Sequence, residues 1–186
     1  MNKFLKLLFL GQSINVLADN LLVPIFAIFV LSIGGNAQMA GILWGIQFAV
    51  SATVGFFILR LHDKRNLDYL FLKTNFLIKG IAWTLLIFNQ SIPMMVLVQV
   101  LIGFASAIGG PSLNAITSEH LDKDRHIREW GTLQLVCNIV IAVASVLGGL
   151  IMANFGFTPM FILMSLLSFL SFAIMFFTKP PAKVSQ

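Results

Sequence analysis

The sequence predicts an all-α membrane protein, with six transmembrane helices arranged as two inverted three-helix repeats. Six apolar stretches each run about 20 residues or longer, enough to cross a hydrocarbon core of about 30 Å. The connections between them alternate between uncharged and charged segments. Across 186 residues, 58% are hydrophobic and 10% charged, whereas a soluble domain carries about 25% charged residues.

The first stretch, residues 5–33, follows Lys3 and Lys6. It is about twice as long as the apolar region of a secretory signal and carries Asp19, so it is read as a helix that stays. GGNAQ at 34–38 is an uncharged turn, and 39–61 is the second helix. The basic HDKRN at 62–66 leads into the third, 67–88; NQS at 89–91 leads into the fourth, 92–117. The densely charged stretch from Glu119 to Trp130 precedes the fifth, 131–155. An uncharged turn at 154–158 gives way to the sixth, 159–177. Pro180 and Pro181 stop that helix, so the bundle is expected over 1–181 and a short tail over 182–186. Lipid admits helices or closed barrels, and these segments are too long and too uniformly apolar for barrel strands.

Lys3, Lys6, Arg60, Lys64, Arg65, Lys123, Arg125, Arg128, Lys179 and Lys183 all fall at one end of the predicted bundle. The positive-inside bias assigns that end, with both termini, to the cytoplasm, as in a multi-pass protein of the plasma (inner) membrane. The six helices divide into two sets of three. Because three is odd, the second set enters from the opposite side, which is inverted-repeat topology. No residue-level identity links the two sets.

The net charge of +5 is explained by orientation and anionic lipid headgroups, without an aromatic-basic patch of the kind that binds nucleic acid. Cys137 is the lone cysteine, read as a small buried hydrophobe. His62, His120 and His126 show no metal-ligand spacing, so no metal and no cofactor are expected. No phosphate loop, HExxH helix or nucleophile with base is present, so no enzymatic activity is expected.

Asp19 is the most informative candidate. It lies about 14 residues into the first helix, roughly 21 Å from the charged end and close to the bilayer midplane. Ionisable groups at that depth are costly and face a cavity or a partner. Gln12, Asn15 and Asp19 share one helical stripe, a candidate proton or substrate surface. Lys79, about 18 Å into the third helix from the same end, is the matching candidate for an intramembrane charge partner. Lys73 is shallow enough to snorkel. Gln134 and Asn138 on the fifth helix, with Gln99, Ser106 and Asn114 on the fourth, are candidates for cavity lining or for interhelical hydrogen bonds. Gly41, Gly45 and Ala49 make a small-residue row suited to close helix packing. Pro24 and Pro111 mark bends or simple kinks.

The plan of six helices, with a charged loop after the second and a longer one after the fourth, resembles the N-terminal half of a major facilitator superfamily transporter, of the drug or metabolite efflux kind. Gly55, Arg60, Lys64 and Arg65 resemble a degenerate form of that family's loop signature, with Leu59 and His62 at its aspartate and second-glycine positions. GFASAIGGPSLNAITSEH, from Gly103 to His120, resembles its glycine-rich fourth helix. Gly131, Gly148 and Gly149 line up with its fifth-helix signature, whereas Ala144 and Ser145 stand where the proton-coupled antiporters carry glycine and proline. The resemblance implies a cytoplasmic loop latch at Arg60, Asp63 and Arg65. It also places third helices at the periphery, which would turn Lys79 to lipid. It implies alternating-access transport of a small organic solute, coupled to protons, by a half or truncated transporter that needs a second six-helix half, its own copy or another. The alternative is a binding or regulatory partner in the bilayer that does not transport.

Overall fold

The computed structural model describes residues 3–62, 67–120 and 126–178, apart from the side chains of residues 59–62 and 126. Its helices are α1 (Lys3–Ser32), α2 (Ala37–His62), α3 (Asp68–Phe88), α4 (Ile92–His120), α5 (His126–Phe155) and α6 (Phe157–Phe177). All six are long and apolar enough to cross a membrane, and the described residues form no strand. The side chain of Arg60, together with Asp63, Arg65 and the tail at 182–186, lies outside the described residues.

The turns at the uncharged end have clear local causes. Gly34, at φ +87°, ends α1 in the left-handed region that only glycine enters cheaply. Its neighbour Gly35 donates back to the Val30 carbonyl at 2.9 Å. The Asn36 side chain then caps α2 by accepting from the Met39 amide at 2.8 Å. Gly156, at φ +81°, alone separates α5 from α6, so Pro159 falls in a first helical turn, where its missing N–H is harmless. At the other end α5 begins at His126 rather than at residue 131. HIREW is charged but holds neither glycine nor proline, so the helix winds on past the lipid.

Pro24 and Pro111 behave differently. Pro24 has no N–H to give to the preceding turn, and α1 narrows to a 3-10 segment at Val23–Ile25 before resuming as Phe26–Ser32. Pro111 sits inside α4, which continues as α-helix through it.

The packing carries the inverted repeat. α1 packs on α6 as α4 packs on α3; α1 packs on α5 as α4 packs on α2; and α3 meets α6. Exchanging α1 with α4, α2 with α5 and α3 with α6 therefore maps each of these contacts onto another or onto itself. Four helices bury 39–50% of their central windows, whereas α2 buries 6% and α5 11%, so these two related helices flank the bundle.

The interior is layered. One apolar cluster joins Leu21, Phe29, Leu43, Leu86, Met95 and Phe161 toward the uncharged end. A second joins Leu5, Leu8, Leu72, Phe76, Ile116 and Met175 toward the charged end. Between them along the helices lie the buried polar residues Ser13 and Asn15 on α1, Lys79 on α3, Ser112 on α4, and Ser165, Ser168 and Ser171 on α6. A polar stratum thus crosses the middle of the bundle.

Candidate functional site

α1 and α3 bring their charges together in that stratum. Lys79 Nζ donates to Asp19 Oδ2 at 2.5 Å, and Asn15 Nδ2, one turn below on α1, donates to the same oxygen at 3.1 Å. The Asp19 side chain is 24% exposed and that of Lys79 10%, so both are withdrawn from the surroundings. Lys79 turns inward rather than toward lipid, against the peripheral placement that the family resemblance implies for third helices. Four methylenes let an ammonium reach across a helix interface, and the carboxylate is the partner at its depth. Burial of two charges is tolerated because they meet with short, charge-assisted geometry.

The pair opens onto a cavity of about 90 Å³ among α1, α2, α3 and α4. Its polar lining comes from Asp19, Lys79, Gln47, Gln99 and Ser106. Its apolar lining includes Leu22, Phe26, Trp44, Trp83, Met95 and Ile102. Val23, in the 3-10 segment of α1, also borders it, so the irregular turn at Pro24 lies one helical turn beyond Asp19. Two polar atoms on this cavity's residues are buried without a hydrogen-bond partner among the described residues: Asp19 Oδ1 and Trp83 Nε1.

The other candidates are distributed unevenly. Asn15 is 2% exposed, and its Oδ1 is buried without a partner among the described residues. Gln12 is half-buried, two turns below Asp19 and outside the cavity lining. Gln134 Nε2 donates to Asn138 Oδ1 at 3.1 Å on an exposed face of α5, and neither residue joins the cavity. Gln99 and Ser106 line it, and Asn114 is exposed. Lys73 rests over the rings of Tyr69, at 4.4 Å, and Phe176, at 5.4 Å, closer to the charged end. Trp83 and Gln47 are lining residues that sequence reading passed over. Trp83 stands one turn from Lys79 and Gln47 one turn from Trp44, so helical spacing from a known lining residue finds both.

Glycine contacts correct one expectation. A Cβ added at Gly41 or Gly45 would meet nothing within 4 Å, so the small-residue row of α2 is not a packing seam among the described residues. The close approaches lie elsewhere. Gly148 of α5 presses on the Leu21 backbone, and a Cβ at Gly103 of α4 would stand 2.5 Å from the Gln47 carbonyl oxygen of α2. Both seams border the cavity-lining residues Leu22 and Gln47.

No group of three His, Cys, Asp or Glu side chains among the described residues is placed to hold a metal ion. The family model described as Major Facilitator Superfamily matches residues 8–186. No curated protein matches the chain.

Proposed function

Because the chain belongs to the Major Facilitator Superfamily, a family of membrane transporters, we propose that it takes part in alternating-access transport of a small organic solute, coupled to protons through Asp19. The carrying observation is the Asp19–Lys79 pair in the middle of the bundle beside a partly open cavity. A proton on Asp19 removes the charge that holds Lys79. The ammonium is then an uncompensated cation in a low-dielectric layer, a state several kcal/mol less favourable than the pair. The bundle relieves it by bringing Lys79 to water or to another partner, and that movement is the coupling. The 3-10 segment at Val23–Ile25 and the close seams at Gly148 and Gly103 supply a hinge and two sliding contacts beside the cavity.

A six-helix unit walls only one side of a substrate path of this kind. The exposed faces of α2 and α5, with Gly41 and Gly45 open on α2, support the proposal that a second six-helix half, a copy of this chain or another, packs there. The same faces favour the second reading, a docking partner in the bilayer that does not transport. The charged end is proposed to face the cytoplasm, with both termini, in the plasma membrane. There Arg60, Asp63 and Arg65 would join the loop latch, and exposed pairs of that kind contribute under about 1 kcal/mol each.

Labelling separates the two readings without knowledge of the substrate. With Cys137 replaced by serine, Ser106→Cys in proteoliposomes is expected to react with a membrane-impermeant maleimide from either side, in a ratio that shifts with pH. Asp19→Asn is expected to abolish the pH response while leaving the protein inserted. Labelling from neither side in the folded protein would remove transport and leave the docking reading.

A further inference from the structure

At the charged end, where α1 begins and α6 stops, the two helices part to leave an open groove of about 440 Å³, lined by Lys3, Phe4, Leu7, Ile174, Phe177 and Thr178. Phe177 is 82% exposed there. The polar atoms of Thr178 are already engaged. Its hydroxyl and its amide donate to the Ile174 carbonyl, at 2.6 and 3.1 Å, and its own carbonyl accepts from the Tyr69 hydroxyl. Tyr69 also donates to the Met175 carbonyl at 2.9 Å, so the last turn of α6 offers the groove little free negative charge. Lys3 differs, being exposed and making no ion pair among the described residues. It also stands in the first turn of α1, where the helix dipole is positive. Leu7 and Ile174 lie one turn deeper along their helices, about 6 Å further into the bilayer.

Charge at the helix ends and hydrocarbon one turn deeper is the order of groups along a phospholipid. We propose that this groove binds an anionic phospholipid of the leaflet that meets the charged end, with the phosphate on Lys3 and the start of one acyl chain against Leu7, Ile174 and Phe177. A free phosphate would use Lys3 alone and leave the apolar wall to water. A zwitterionic lipid brings its own cation, which competes with Lys3 for the phosphate. The charge in the groove is local, not the general surplus of this end. Lys6 lies about 60° around α1 from Lys3 and outside the lining, and Lys73 is held over the rings of Tyr69 and Phe176. Because the lining comes from both α1 and α6, the bound lipid braces the seam between them.

Native mass spectrometry of the full chain, delipidated in detergent, counts bound lipids one at a time. Palmitoyl-oleoyl phosphatidylglycerol is expected to give a saturable first adduct at about fivefold lower concentration than palmitoyl-oleoyl phosphatidylcholine, the effect of one interfacial lysine. Lys3→Gln is expected to erase that preference and Lys3→Arg to keep it. Lys6→Gln removes the same charge outside the groove, and is expected to change the preference by less than about twofold. Phe177→Ala takes away one wall from an exposed position, where the fold does not depend on it. It is expected to weaken both lipids about tenfold and to leave the preference intact. Glycerophosphoglycerol, the headgroup without its chains, is expected not to displace the first adduct. Equal binding of the two lipids overturns the assignment. Equal losses in Lys3→Gln and Lys6→Gln do so as well, because they mean surface charge without a site, and displacement by the free headgroup leaves an anion site with no seat for a chain. Binding is read here without transport, so neither result bears on the labelling test for alternating access.

Discussion

α3 and α6 occupy equivalent places in the inverted repeat and pack against each other at its axis, yet they manage buried polarity in opposite ways. α6 buries Ser165, Ser168 and Ser171. Ser168 and Ser171 return their hydroxyls to carbonyls of their own helix, at 2.9 Å to Met164 and 3.0 Å to Leu167, and only Ser165 reaches over, to Thr84 at 2.7 Å. α3 buries Asn75 and Lys79, and the Lys79 ammonium carries a charge that no turn of its own helix can neutralise. Lys79 must find α1. A serine satisfied at home informs only about local packing, whereas a lysine that needs another helix couples two parts of the bundle. Equal topology therefore does not imply equal function, and the asymmetry lies in a few side chains.

The largest test of that contrast removes the partner on which α3 depends. Asp19→Ala leaves Lys79 buried and unpaired, and unfolding in mixed micelles is expected to show a loss of about 3–5 kcal/mol. The double change Asp19→Asn with Lys79→Met is expected to recover most of it, because no lone charge remains. If the single variant were as stable as the double, Lys79 would have water in place of a partner and the contrast would collapse. Next in size is the seam between α1 and α5. Gly148→Ala adds a methyl group against the Leu21 backbone, and overpacking of that kind is expected to cost about 1–3 kcal/mol. Gly45→Ala, where nothing lies within 4 Å, is expected to be neutral in the isolated chain. The smallest effects belong to α6. Ser165→Ala is expected to cost about 0.6 kcal/mol, the usual value of an interhelical hydrogen bond in lipid, and Ser168→Ala less, because its bond stays within one turn. A cost for Ser168→Ala larger than for Ser165→Ala would show that α6 is not self-sufficient.

Hydropathy and length made the six helices legible, because only a long apolar helix both spans lipid and satisfies its own backbone. The depth of Asp19 and Lys79 was legible from the rise per residue alone. Facing was not. α2 and α5 are apolar almost all round, so no polar stripe says which side meets a neighbour. Gly41 and Gly45, read as a packing row, look outward, and Gln134 and Asn138 lie on an exposed face away from the cavity. The part of Trp83 was hidden for another reason. A tryptophan in an apolar helix reads as packing, and only three-dimensional placement reveals that it lines the cavity and that its N–H has no partner among the described residues.

The turns at the uncharged end hold four, three and one residues, none of them charged. The chain can therefore be laid into a bilayer as three hairpins, each drawing only a short neutral loop across. Asp19 enters with the first hairpin and Lys79 with the second, each at an insertion penalty of about 2.5–3.5 kcal/mol while it is alone. Their meeting cancels two debts incurred separately during synthesis. A hairpin on its own would carry a bare charge in the lipid, and that charge is compensated only when the first two hairpins have found each other.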